Sequence, residues 1–263
     1  MHTHNGEQRP QGAALHASAR HADGRLTARA GKKGGNAKMT GRFWKLLAPQ
    51  KCLYCNEPTD DPDGAVCDRC LPEEERLLDA RCPVCGLAAG ECVCSDRDDY
   101  AFLFYYGCKS VRNATARIKY ANNDIAVRHM ACLLAEKLKD GRFDAVFFVP
   151  RSKKAKRKYG FDQAELLAGA VAELLGLPVC AALFRKSESK PQKLLSAAQR
   201  RKNIRDTFSV HEDMVGGIRS ALLIDDVITT GATVTECARI LRGAGIRTVR
   251  CACIAKTPKK HPV

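Results

Sequence analysis

The stretch Leu222-Leu223-Ile224-Asp225-Asp226-Val227-Ile228-Thr229-Thr230-Gly231-Ala232-Thr233 constrains this chain more than any other. The apolar run Ala221 to Ile224 reads as a buried parallel strand. Two adjacent carboxylates follow, then a turn rich in hydroxyls and glycine. The next segment reads as a helix, with Val234, Cys237, Ala238 and Leu241 at the i, i+3, i+4, i+7 spacing of one buried face. A strand–loop–helix unit puts its loop at the carboxyl edge of the sheet, where α/β proteins bind ligands. Backbone N–H groups at the helix start, with the threonine hydroxyls, suit a phosphate. Gly231 permits a close backbone approach or a positive φ. A pentose could then meet Asp225 and Asp226 while its phosphate meets Thr229, Thr230, Gly231, Ala232 and Thr233.

This stretch resembles the ribose-phosphate signature of type I phosphoribosyltransferases: an apolar strand, Asp-Asp, two residues, Thr-Thr-Gly, one residue, Thr. Every motif position fits. An ordinary Asp/Thr/Gly turn is the plain alternative, and a loop that binds without catalysing is the second, because one fold serves several functions.

The chain has 263 residues, room for one mid-sized domain plus a small one. A hydrophobic content of 45% supports a packed core. No apolar run approaches the roughly 18 residues of a membrane span, and no charged-then-apolar signal segment opens the chain. The cytoplasm is therefore the expected compartment. There, 14 cysteines with paired Cys-x-x-Cys units point to metal rather than disulfides. The net charge of +15 favours polyanions, whether small phosphorylated molecules or nucleic acid.

Residues 1–42 read as a disordered basic tail that holds four of the seven histidines, and Met39 is a candidate translation start. Residues 43–98 read as a double zinc ribbon, opened by a short apolar-faced helix near Phe43 and Trp44. Cys52, Cys55, Cys67 and Cys70 form one ligand set; Cys82, Cys85, Cys92 and Cys94 form a second. Each set can close a tetrahedral shell at about 2.3 Å per Zn–S bond. Two structural zinc ions are expected, with interleaved pairing as the alternative; Cys92-Val93-Cys94 is one residue shorter than a standard knuckle. The metal would supply much of the module's folding energy.

Residues 99–263 read as an α/β domain. Strands are expected at 100–107, 143–149, 177–184, 207–210 and 248–255, and helices at 110–120 and 125–139. A further helix follows Asp162, which with Glu165 can cap it. Six of the eight residues from Arg151 to Lys158 are basic, directly after an expected central strand. They read as a clamp for pyrophosphate or a nucleic-acid backbone, with a solvated loop as the alternative. Residues 185–205, again basic, read as a hood over the site or as an exposed charged helix.

From about residue 50 to 256 the chain resembles the ComF family, competence protein F-like proteins with a double zinc ribbon and a type I phosphoribosyltransferase-like domain. The match rests on the eight-cysteine block, on Val149-Pro150…Lys153…Gly160-Phe161-Asp162-Gln163-Ala164-Glu165, and on Gln192…Leu195-Ser196…Arg200…Asn203…Phe208 leading into the Asp-Asp loop. Asp162 stands where the family often has Asn, and Arg151 where an apolar residue is common. The resemblance implies a parallel sheet flanked by helices behind zinc ribbons. Some members assist DNA uptake during natural transformation, alongside a DNA translocase.

Two functions follow. In the first, a phosphoribosyltransferase acts on phosphoribosyl pyrophosphate: the Thr229–Thr233 turn holds the 5-phosphate, and Asp225 and Asp226 orient the ribose and steady charge at its anomeric carbon. Mg²⁺ bridges pyrophosphate and ribose oxygens, and Lys153 or Arg157 stabilises the leaving group. The sequence names no acceptor. In the second, a non-catalytic single-stranded DNA-binding or protein-docking factor reuses the phosphate loop. Aromatics at 6% of the chain weaken a stacking model.

Overall fold

The computed structural model describes residues 49–61, 63–82, 86, 100–120, 123–186 and 207–258. All of them fall within the unit Lys45–Val263. The expected tail, the opening helix, Cys85, Cys92, Cys94 and most of the basic hood lie outside the described residues.

A helix α1 (Leu71–Leu78) follows the cysteine turns. Strand β1 (Tyr100–Tyr105) leads to α2 (Lys109–Tyr120) and α3 (Asp124–Leu138), the latter capped by the Asn123 side chain accepting from the Ala126 N–H. Then come β2 (Ala145–Phe148), a short α4 (Lys153–Tyr159) and α5 (Gln163–Leu175). Short strands β3 (Leu183–Arg185) and β4 (Phe208–Val210) pair antiparallel. Strand β5 (Ser220–Ile228), α6 (Ala232–Gly243) and β6 (Thr248–Lys256) complete the described chain.

The main sheet runs β1-β6-β5-β2, with every pair parallel. Its core strands are apolar on both sides, as a sheet covered on both faces requires. On one face, Val146, Leu222, Ile224, Ala252 and Ile254 pack with the inner residues of α2, α3 and α5. On the other, Phe147, Leu223, Cys251 and Cys253 pack with Val234, Cys237 and Leu241 of α6 and with Leu183 and Phe208 of the small sheet. The helices that follow the neighbouring strands β2 and β5 thus cover opposite faces. That divergence opens a crevice at the carboxyl ends of the two strands.

The expected strand at 177–184 divides in two. Pro178 to Cys180 lie beside β2 through a single parallel bridge, Val146 to Val179, and the chain then turns to form β3. The central strand is longer than its apolar run. β2 leaves after pairing Phe148 with Ile224, but β6 continues beside β5 as far as Ile228 and Lys256. Asp225 and Asp226 therefore belong to the strand and sit at the notch where β2 departs.

Candidate functional site

The two carboxylates lie close enough to interact directly. Asp225 lines an open cleft of about 340 Å³, whose other lining residues include Lys119, Arg151, Gln163, Arg185, Phe208 and Thr233. Asp226 is 5% exposed. Its Oδ2 accepts from Gln163 Nε2 at 3.3 Å and lies 3.6 Å from Lys119 Nζ, while its Oδ1 accepts from the Val227 N–H at 2.9 Å. Asp225 Oδ1 accepts from the Asp226 N–H at 2.8 Å. Burial, and next the neighbouring Asp226 carboxylate, push the Asp225 carboxyl well above the usual carboxylate range, against the smaller opposing pull of the Asp226 N–H and Lys119.

Gly231 opens α6 with φ 76°, the left-handed region that favours glycine. An added Cβ would stand 3.2 Å from Tyr100 Oη, close enough that the tyrosine hydroxyl would have to give by a few tenths of an ångström. By helix geometry the first N–H groups of α6 lack intrahelical partners and point outward. Thr229 and Thr230 are exposed, and Thr233 reaches the cleft wall. The turn thus places amides and hydroxyls beside Asp225, an arrangement able to hold a phosphate and a polyol together.

The basic segment folds as α4, capped by Ser152 Oγ accepting from the Ala155 N–H at 3.2 Å and ended by Gly160 in the left-handed region. Lys153 and Arg157 are exposed on it and are not among the residues that line the cleft. Arg151 does line it. Its guanidinium lies 4.5 Å from the Tyr159 ring centre and donates to the carbonyls of Phe161 and Lys119, each at 3.3 Å. Asp162 anchors the loop: Oδ2 accepts from the Arg151 N–H at 2.8 Å and lies 3.2 Å from Lys156 Nζ, while Oδ1 caps α5 through the Ala164 N–H. Arg185 stands over the Phe208 ring at 4.9 Å. Lys119, Gln163 and Arg185 come from separate elements, and no local spacing linked them to the Asp-Asp turn.

A second cluster lies in residues 52–70. The Sγ atoms of Cys52, Cys55, Cys67 and Cys70 all lie within 4.8 Å of one another, and those of Cys55 and Cys67 are 3.7 Å apart. Tetrahedral zinc with four thiolates needs sulfurs roughly 3.8 Å apart, so the cluster can hold such an ion. Tight turns set it up: the Asn56 N–H donates to the Cys52 carbonyl at 3.1 Å and the Cys70 N–H to the Cys67 carbonyl at 2.8 Å. The thiols titrate as one set: burial works against the Cys52 thiolate, but the N–H groups of Cys55, Cys67 and Tyr54 outweigh it and bring its pKa down to about 7, while burial and the neighbouring thiols push Cys55 and Cys70 up. Of the second expected set, Cys82 is buried and the rest lie outside the described residues.

Residues 162–262 match the phosphoribosyl transferase domain family, a match that spans Asp162, the carboxylate pair and the α6 loop. That similarity is confined to the part of the chain from Asp162 onward. Over a longer span it is 28% identical to the DNA utilization protein YhgH of Salmonella typhi, across 81% of this chain and 99% of that protein. It is 23% identical to competence protein F of Haemophilus influenzae, across 76% of this chain and 94% of that one. Both spans exceed residues 162–262, so the relatives are similar to this chain upstream of Asp162 as well. Among solved structures, purine phosphoribosyltransferase from Pyrococcus horikoshii is similar at a TM-score of 0.35 and 20% identity, over 63% of this chain and 82% of that one. Among the described residues, no helix is long and apolar enough to cross a membrane.

Proposed function

We propose that this chain binds phosphoribosyl pyrophosphate, or a closely related sugar phosphate, in the cleft between β2 and β5. The reading rests on one juxtaposition: the Gly231-opened start of α6 lies next to Asp225 in the same cleft. The 5-phosphate sits on the Thr229–Thr233 turn and the ribose hydroxyls on Asp225, with Asp226 holding the strand end through Gln163 and Lys119. Lys119 and Arg151 face the pyrophosphate, and Lys153 and Arg157 add a positive field from α4. Asp225, the carboxylate that lines the cleft, would hold Mg²⁺, which would supply charge neutralisation for the pyrophosphate. Transfer to an acceptor is the activity this geometry serves best. In this reading residues 43–98 form the zinc-bearing module, with one ion on Cys52, Cys55, Cys67 and Cys70 and one on Cys82, Cys85, Cys92 and Cys94, and residues 99–263 form the transferase-like domain, acting in the cytoplasm. Calorimetric titration with phosphoribosyl pyrophosphate and Mg²⁺ tests it. Saturable binding by the wild type, lost in Asp225→Ala/Asp226→Ala, supports it; no binding by the wild type defeats it.

The relatives named for DNA utilization and competence, with a net charge of +15, favour a second reading. In it the same protein supports DNA uptake, handling single-stranded DNA beside a DNA translocase. Its backbone contacts would make affinity fall steeply with salt. An affinity for single-stranded DNA that is indifferent to salt removes this reading and leaves the first intact.

A further inference from the structure

One helix touches both the cysteine turns and the cleft. Ser110, Asn113 and Arg117 share a face of α2 at i, i+3, i+7 spacing. Each bonds to the cysteine module: Ser110 Oγ donates to Glu73 Oε1 at 2.6 Å, Asn113 Nδ2 to the Tyr54 carbonyl at 2.7 Å, and Arg117 to the Lys51 carbonyl at 3.2 Å and to Asn56 Oδ1. Tyr54 lies between two of the clustered cysteines, Lys51 and Asn56 flank their turn, and Glu73 lies in the first turn of α1, whose N-cap is Cys70. A second tie runs from the module to α3, where Glu74 Oε2 meets both Tyr54 Oη and His129 Nε2 at 2.7 Å.

The other end of α2 enters the cleft. Lys119 Nζ is 3.6 Å from Asp226 Oδ2, the Lys119 carbonyl accepts from Arg151, and the Tyr120 ring centre is 5.1 Å from that of Tyr159. The last turn of α2 therefore touches the strand end that carries the carboxylates and the loop that carries Arg151. Between the two ends, Val111, Ala114 and Ile118 are fully buried, so the helix cannot shift at one end alone without opening the core.

We infer that the four-cysteine module sets the cleft through α2, with Asn113 and Arg117 as its grip and Lys119 as the positioning residue at Asp226. The metal's part is to fix the Cys52–Cys55 turn, whose Tyr54 carbonyl and flanking Lys51 and Asn56 are what α2 holds. The ligand arm of the test rests on the sugar-phosphate reading; the exchange arm does not.

The exchange arm uses the full-length, zinc-loaded wild type. Stepwise chelation should release the amides of residues 117–120 to hydrogen exchange while β5 and β6 stay protected. The inference is overturned if those α2 amides keep their protection after the metal has left, or if β5 and β6 open together with them, since the module would then be independent or a global staple. The ligand arm uses Asn113→Ala and Arg117→Met with zinc content verified. Each should weaken Mg²⁺–phosphoribosyl pyrophosphate binding roughly tenfold, the scale of a coupling between sites. Arg117→Lys should recover part of the loss, because an ammonium can still donate to the Lys51 carbonyl. Unchanged affinity in both variants overturns the inference. If the wild type binds no phosphoribosyl pyrophosphate, the sugar-phosphate reading fails and the exchange result alone decides this one.

Discussion

The cysteine turns and the Asp-Asp loop are both candidate ligand sites, and they are built in opposite ways. Cys52, Cys67 and Cys70 are buried, and their sulfurs converge on a space sized for one ion. Thr229 and Thr230 are exposed, and the α6 start faces an open cleft. A closed tetrahedral thiolate shell leaves no position for a substrate and contributes folding energy outright. An open helix start costs the fold little when empty and can exchange its ligand. The difference teaches that burial of the donor atoms, more than their chemical type, sets whether a site is suited to a resident ion or to an exchanging ligand.

That comparison breaks first at the cysteines if it is wrong. Cys67→Ser removes one of four ligands, and small zinc modules draw about 10 kcal/mol of folding energy from their metal. Limited proteolysis with mass spectrometry should show cuts within 49–82 in the variant or after chelation, while the sheet resists; equal resistance with and without metal would make the thiols ordinary core. Gly231→Ala comes next in size. A side chain at φ 76° costs about 1–2 kcal/mol, and its Cβ must displace the Tyr100 hydroxyl. A melting temperature a few degrees lower is expected, together with loss of phosphoribosyl pyrophosphate binding. A variant that melts like the wild type would mean the turn adapts freely.

Much of this was legible in the chain because the signals were local. The apolar run, the Asp-Asp pair and the Thr-Thr-Gly turn lie in consecutive positions, and the structure puts them on one strand and one helix start. The cysteine pairs are likewise local turns. What the sequence hid is set by pairing between distant segments. Nothing near Asp225 says that β6 extends the strand to Ile228 after β2 has left. Nothing near Lys119 says that it ends beside Asp226, a partner more than a hundred residues away in the chain. In the run of positive charge after Pro150, Lys153 and Arg157 are exposed on α4, while Arg151, held by Asp162 and Tyr159, lines the cleft. Glycine-rich turns and cysteine spacings are read from neighbours in sequence; which cation faces a cleft is decided by the third dimension.

Asp225→Asn sharpens the contrast from the open site's side. A carboxyl whose folded pKa is raised holds its proton more tightly in the folded chain. Its contribution to stability is full below the usual carboxylate range and is lost as pH rises toward the folded value. An amide has no proton to lose and keeps an oxygen for the Asp226 N–H. The variant should therefore melt above the wild type at pH 8, with the gap closing toward pH 4, while its binding of phosphoribosyl pyrophosphate with Mg²⁺ is lost. A gap that does not change with pH would show that Asp225 is ionised at little cost, and that the cleft is wetter than its walls indicate.

The smallest structural effect is expected at Thr230, and for that reason it isolates ligand from scaffold. Its side chain is exposed, and its Oγ1 accepts from the Ala232 N–H at 3.4 Å, a long bond. Thr230→Val keeps the shape and removes the hydroxyl, and an exposed substitution of this kind changes stability by about 0.5 kcal/mol or less. A hydrogen bond to a charged group is worth about 1.5–3 kcal/mol, so a phosphate bound at this turn would lose roughly tenfold or more in affinity. Unchanged melting with weakened binding is the signature of a residue kept for its ligand. Cysteines that close a metal shell cannot give that signature, because any change there registers in folding before it registers in binding. If Thr230→Val lost stability and affinity in proportion, the turn would be part of the scaffold, and the distinction between the two sites would reduce to one of degree.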